Sequence, residues 1–208
     1  MPGPLKGLAE RFDDSPIDSP EKAQHFIRTR SSYVAQTALY GYLKTRMGTR
    51  YRQLFEDKTF SRSIRIAASQ TFASCLSDMT IYGVAMVARD GGLADDEARL
   101  LAERIYVSAY KSGLEKVDRK EQPEGARERF QVRLDGIHWK TAAETIDVFE
   151  SSSADLIRFA PVIDEFKELD GEIVNNSLWL RWIDIRKQWE KRLRAGDVAT
   201  AWRGGRAA

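Results

Sequence analysis

The chain has 208 residues, 42% hydrophobic and 31% charged, with one Cys and two His. A lone cysteine forbids an internal disulfide and a Cys-based zinc site, and two histidines are too few for a histidine-rich metal centre. The formal net charge of +2 hides blocks: residues 19–66 hold 10 Lys/Arg against 3 Asp/Glu, 93–172 hold 12 against 19, and 173–208 hold 8 against 3.

Residues 1–18 hold Pro2, Pro4 and Pro16 and show no helical period, which predicts a flexible N-terminal arm. The stretch has no apolar core of the kind a signal peptide carries, which argues against one. Ser19-Pro20-Glu21 is a helix start: a capping hydroxyl, proline at the first helical position, then an acid. The helix is predicted to run to Met47, with Gly48 as its C-terminal cap. Asp57 or Thr59 can cap a second helix over about 59–89, which Gly91-Gly92 ends. Its latter half is apolar nearly all round, so it is predicted to lie at the centre of the fold and to be a buried helix, not a membrane span. A third helix starts at Asp95-Asp96-Glu97 and runs to Leu114.

Asp118 to Gly125 reads as a linker. Phe130, Val132 and Leu134 alternate ahead of Asp135-Gly136, a hairpin signal, but Phe130, Leu134 and Ile137 also share a helical face. The Glu-, Arg- and Ala-rich flanks favour the helix, breaking at Gly136. Ser152 or Ser153 is predicted to cap a short helix ending near Pro161. A long last helix is predicted over about 171–194, with Val174, Leu178, Trp182, Ile185, Trp189 and Leu193 inward, and a frayed tail over 196–208. The expected fold is all-α: a compact bundle of five to seven helices in one domain, 19–195, with a possible subdivision at 118–125.

The catalytic vocabulary is sparse. GxGxxG, GxxxxGK[ST] and GxSxG are all absent. Ser19 and Lys22 match SxxK by letters, but Ser19 is better explained as a cap. His138 follows Asp135 by three and His25 follows Lys22, so the paired Glu-x-x-His of a di-iron bundle is not present. No cofactor, no metal site and no catalytic residue is assigned, and the leaning is towards a non-enzymatic protein.

Three groups of residues carry the functional expectations. Lys44, Arg46, Arg50, Arg52, Arg62 and Arg65 form a basic stretch interleaved with Tyr40, Tyr42, Tyr51 and Phe55. It suits an anionic partner or, less favoured at a sequence pI of 8.6, nucleic acid; the alternative is pairing with the acidic 93–172 segment. Asp78 sits in the most apolar helix. It either lines a small-molecule pocket with Gln70 and Tyr82, or is bonded by a Tyr or Arg of the first helix, or points to solvent. Trp179, Ile183 and Arg186 widen the apolar arc of the last helix, which either packs between two neighbours or presents a second stripe as an interface with another protein or a second copy.

The stretches Ser153-Ala-Asp-Leu-Ile-Arg-Phe-Ala-Pro161, Asp164-Glu-Phe-Lys167, Asp170-Gly-Glu-Ile-Val-Asn-Asn-Ser177 and Tyr40-Gly-Tyr-Leu-Lys-Thr-Arg-Met-Gly-Thr-Arg-Tyr51 resemble an uncharacterised family of small bacterial all-helical proteins. The resemblance spans most of the chain. It implies a bacterial, cytoplasmic setting and no particular chemistry. An esterase label that accompanies such sequences is not adopted, because GxSxG is missing. The function expected from all this is protein interaction or regulation, with a pocket-bearing binder or enzyme as the alternative.

Overall fold

The computed structural model describes residues 14–48, 56–145 and 147–206. Among them are seven α-helices and no strand: α1 (Pro20–Met47), α2 (Lys58–Gly91), α3 (Asp95–Leu114), α4 (Ala126–Leu134), α5 (Glu150–Phe159), α6 (Asp164–Arg192) and α7 (Ala195–Arg206). Short 3-10 turns lie at Arg119–Glu121 and Asp147–Phe149.

The capping signals act as their chemistry requires. The Ser19 hydroxyl accepts from the Lys22 amide at 3.3 Å, and Asp57 accepts from the Phe60 amide at 2.7 Å. Gly92 closes α2 at φ 69°, a left-handed conformation that glycine adopts without a Cβ penalty. Ala94 opens α3 with its N–H donating to the Glu97 carboxylate at 3.0 Å.

Helix α2 is the axis of the bundle. From Ser69 to Ala88 every residue is buried, because α1, α3, α5 and α7 pack around it. Its length and hydropathy alone would allow it to cross a membrane, but the apolar window lies wholly inside the fold. Phe130 and Leu134 of α4 both point inward, and Phe130 stacks on Tyr106 with ring centroids 3.9 Å apart. The helical period therefore prevails over the hairpin signal.

Three boundaries differ from the sequence expectation. Helix α6 begins at Asp164, two turns before Gly171, so Gly171 lies inside it. Ile17, placed by sequence in the arm, is buried and held by two backbone hydrogen bonds to the α6–α7 junction, Ile17 N–H to Arg192 O and Arg194 N–H to Ile17 O, both 2.9 Å. The tail from 196, expected to fray, belongs to α7 as far as Arg206, with Val198, Ala199 and Trp202 buried. Gly91 makes that docking possible. A Cβ there would stand 2.5 Å from the Ala195 carbonyl oxygen, closer than packed atoms tolerate.

Candidate functional site

Asp78 is completely buried. Its Oδ1 accepts from the Arg133 guanidinium of α4 at 2.7 Å, and its Oδ2 from the Ser152 backbone N–H at 2.8 Å. Ser152 lies in the first turn of α5, where backbone N–H groups have no partner within their own helix. Asp78 thus caps α5 from another helix and meets its positive dipole end. Arg133 also donates to Ser77 Oγ at 2.6 Å and to the Val148 carbonyl at 3.0 Å. The Ser152 hydroxyl accepts from Trp182 Nε1 of α6 at 3.2 Å and donates to the Phe149 carbonyl. One carboxylate and one guanidinium therefore tie α2, α4 and α5 together, and Ser152 adds α6. Burial holds the Asp78 carboxyl above its ordinary value, while Arg133 and Ser152 pull it back down.

The arginine arrives from α4, not from α1 as expected. Gln70 and Tyr82 do not join Asp78 around a common space. The Gln70 side-chain oxygen, Oε1, accepts from Arg129 at 3.3 Å. The Tyr82 hydroxyl donates to Glu190 at 2.7 Å, and burial pushes it up to about 12. Five surface cavities of the described residues are lined by other side chains. Gln70 lies about two turns before Asp78 and about 80° round α2; Tyr82 shares the Asp78 face one turn further on, but its hydroxyl is turned to Glu190 of α6. Among the described residues, no three His, Cys, Asp or Glu side chains gather as a metal ion would need.

The basic stretch is partly spent inside the molecule. Arg46 pairs with buried Asp170 of α6, which also accepts from the Tyr42 hydroxyl at 2.9 Å. Arg65 forks onto Glu121 with contacts of 2.8 and 2.9 Å. Both acids belong to the acidic 93–172 segment, so these two cations are held by the chain itself. Lys44 and Arg62 are exposed. Arg50 and Arg52 lie outside the described residues.

The stripe expected of Trp179, Ile183 and Arg186 is also redistributed. Trp179 is exposed, Ile183 is half-buried, and Arg186 turns inward, its guanidinium 5.0 Å from the centre of the Tyr82 ring. A more continuous apolar face lies beside it. Phe166, Leu169, Ile173 and Leu180 are 37%, 75%, 66% and 62% exposed. At 100° per residue they fall within one 60° sector, centred about 130° round the helix from the buried Val174, Leu178 and Ile185. Helix α6 thus carries two separate apolar stripes, and the core uses one of them. Sequence reading missed this because it started the helix at Gly171 and so left Phe166 and Leu169 outside. The acids Asp164-Glu165 after Pro161 are the start signal that recovers them.

No known family is matched by the chain, and neither a curated protein nor a solved structure matches it.

Proposed function

We propose that the chain is a non-enzymatic protein-interaction module that works through the outward face of α6. The observation that supports this is the exposed row Phe166, Leu169, Ile173 and Leu180 on a helix whose other face is already buried. Single exposed apolar residues are normal, but a continuous row is the usual mark of a binding surface. Asp78, the strongest candidate for a ligand pocket, has both carboxylate oxygens bonded by protein groups. Arg46 and Arg65 are likewise engaged, which weakens an anionic or nucleic-acid partner on the 44–65 surface. The cytoplasmic setting belongs to this reading as well.

The test is native electrophoresis of fresh extract from cells expressing the tagged chain. The unaltered chain is expected in a species heavier than 23.7 kDa, and Leu169→Glu/Ile173→Glu is expected to run as the free chain. An unaltered chain that runs free, or a double variant that stays in the heavy species, overturns the reading.

A further inference from the structure

Beyond the outer row of α6, we infer that the cleft between the start of α5 and the middle of α6 binds a small methylated-ammonium compound, seated on Trp179 beside the Glu150 carboxylate. Trp179 lies about 110° round α6 from the row of Phe166, Leu169, Ile173 and Leu180, so this site does not depend on that face.

The cleft is a formed cavity. Phe149 and Glu150 make one wall, and Asn175, Asn176, Trp179 and Trp182 the other, around about 290 Å³. That is the lower end of the roughly 300–1,000 Å³ of small-molecule sites, so the occupant is small. The α6 residues follow one another at three- and four-residue steps and share a face. The floor is fixed before anything binds. Trp182 and Phe149 are buried, Trp182 Nε1 donates to the Ser152 hydroxyl at 3.2 Å, and the Phe149 ring lies 4.8 Å from Trp182 and 5.3 Å from Tyr82. The rim is uncommitted. Among the described residues, the side chains of Glu150, Asn175, Asn176 and Trp179 have no hydrogen bond or ion pair, and Trp179 is 40% exposed.

Charge selects the class of ligand. No Lys, Arg or His lines the cavity, and Glu150 is its one charged residue. Arg181 is turned to Thr37 and Ser177, and Arg186, a turn beyond Trp182, lies on the Tyr82 ring. The positive end of α5 is already met by Asp78 through the Ser152 amide. An anion would therefore face a carboxylate and aromatic rings whose faces are negative. A metal ion would find one carboxylate, since no three acidic, Cys or His side chains gather among the described residues. An organic cation is drawn by the carboxylate and by the rings, tryptophan best of all. A bare ammonium is compact and strongly hydrated, and this rim replaces little of that shell. Methyl groups on the nitrogen exchange it for contact with the rings.

The experiment titrates the full chain with choline and follows the indole N–H resonance of Trp179, identified by its loss in Trp179→Phe. A saturable shift in the millimolar range is expected, as a few weak contacts give. Trp179→Ala, followed at the Trp182 indole, should weaken binding about tenfold or more, and Glu150→Gln about threefold. Circular dichroism should be unchanged in both, the two positions being exposed. Choline should bind about tenfold more tightly than its neutral isostere with carbon in place of nitrogen, and more tightly than ethanolamine. Equal binding of choline and the neutral isostere overturns a cation site. Tighter binding of ethanolamine overturns the methylated class. A saturable shift with glucose but not with choline overturns the proposal in favour of a neutral polyol. No saturable shift with either choline or tetramethylammonium overturns the site itself.

Discussion

The interior around Asp78 and the outer face of α6 invert the usual order. One places an ion pair where apolar atoms are normal, and the other places a row of apolar side chains in water. The first is tolerated because every group has a partner: Arg133 and the Ser152 amide on the carboxylate, Ser77 and Val148 on the guanidinium. The second is met only at Phe166, whose ring lies 4.7 Å from the Arg46 guanidinium, while Leu169, Ile173 and Leu180 stay exposed. A buried charge that is fully bonded needs no ligand to explain it, whereas an uncovered apolar row does call for something to cover it. That contrast moves the functional interest from the core to the surface.

Breaking the inner side should have the largest effect. Asp78→Ala leaves a guanidinium, with its side chain 25% exposed, and the Ser152 amide without their acceptor. Loss of one partner of a buried pair typically removes about 3–5 kcal/mol; the residual exposure of Arg133 places this case at the lower end. Chemical denaturation should show it. Adding Arg133→Met to Asp78→Ala should recover part of the loss, because no charge is then left stranded. A double variant less stable than Asp78→Ala would mean that Arg133 acts mainly through Ser77 and Val148.

The two faces of α6 give the next contrast. Leu178 is buried and Leu169 is exposed, so the same truncation samples opposite environments. Leu178→Ala should lower stability by about 2–5 kcal/mol through lost contacts and a cavity. Equal losses at the two positions would mean that the outer row is already covered within the monomer. A smaller effect is expected at the hydrogen bond joining α6 to the inner network. Trp182→Phe keeps most of the ring but removes the Nε1 donor to Ser152, for a loss of about 1–2 kcal/mol.

Cys75 supplies a probe of the same interior. Burial pushes its thiol well above the ordinary range, and the neighbouring Asp78 charge pushes in the same direction. The thiolate, which is the reactive form, is therefore suppressed in the folded chain at pH 8. Labelling by a maleimide should follow unfolding and should accelerate in Asp78→Ala as the folded population falls. Rapid labelling of the unaltered chain at pH 8 would show that α2 opens to solvent around Cys75.

Much of the fold was legible because it rests on local chemistry. Ser19, Gly48, Asp57 and Gly92 mark helix ends through their own backbone and capping geometry, and the apolar run of α2 can only be central. What was not legible depends on distant groups. Nothing near residue 17 announces that its backbone will pair with Arg192 and Arg194. Nothing in the tail shows that Gly91 leaves room for Ala195, although Trp202 was a hint that the tail packs. Asp78 stood out as the acid of the most apolar helix, and it is buried; its partners come from residues 133 and 152, beyond any local period. The row of Phe166, Leu169, Ile173 and Leu180 was not read as a group, since a late helix start hides Phe166 and Leu169 and leaves Trp179 as the most visible aromatic.

The smallest expected effect is the most informative about the outer face. Leu169→Ala should change the stability of the dilute chain by no more than about 0.5 kcal/mol, as exposed substitutions usually do. A partner on the row adds a dependence that the dilute measurement lacks, because binding stabilises the folded chain by mass action. Leu169→Ala should reduce the heavy species in extract while leaving the dilute melting temperature in place, whereas Leu178→Ala should lower the dilute melt itself. A heavy species undiminished in Leu169→Ala would place the partner on another face of the chain.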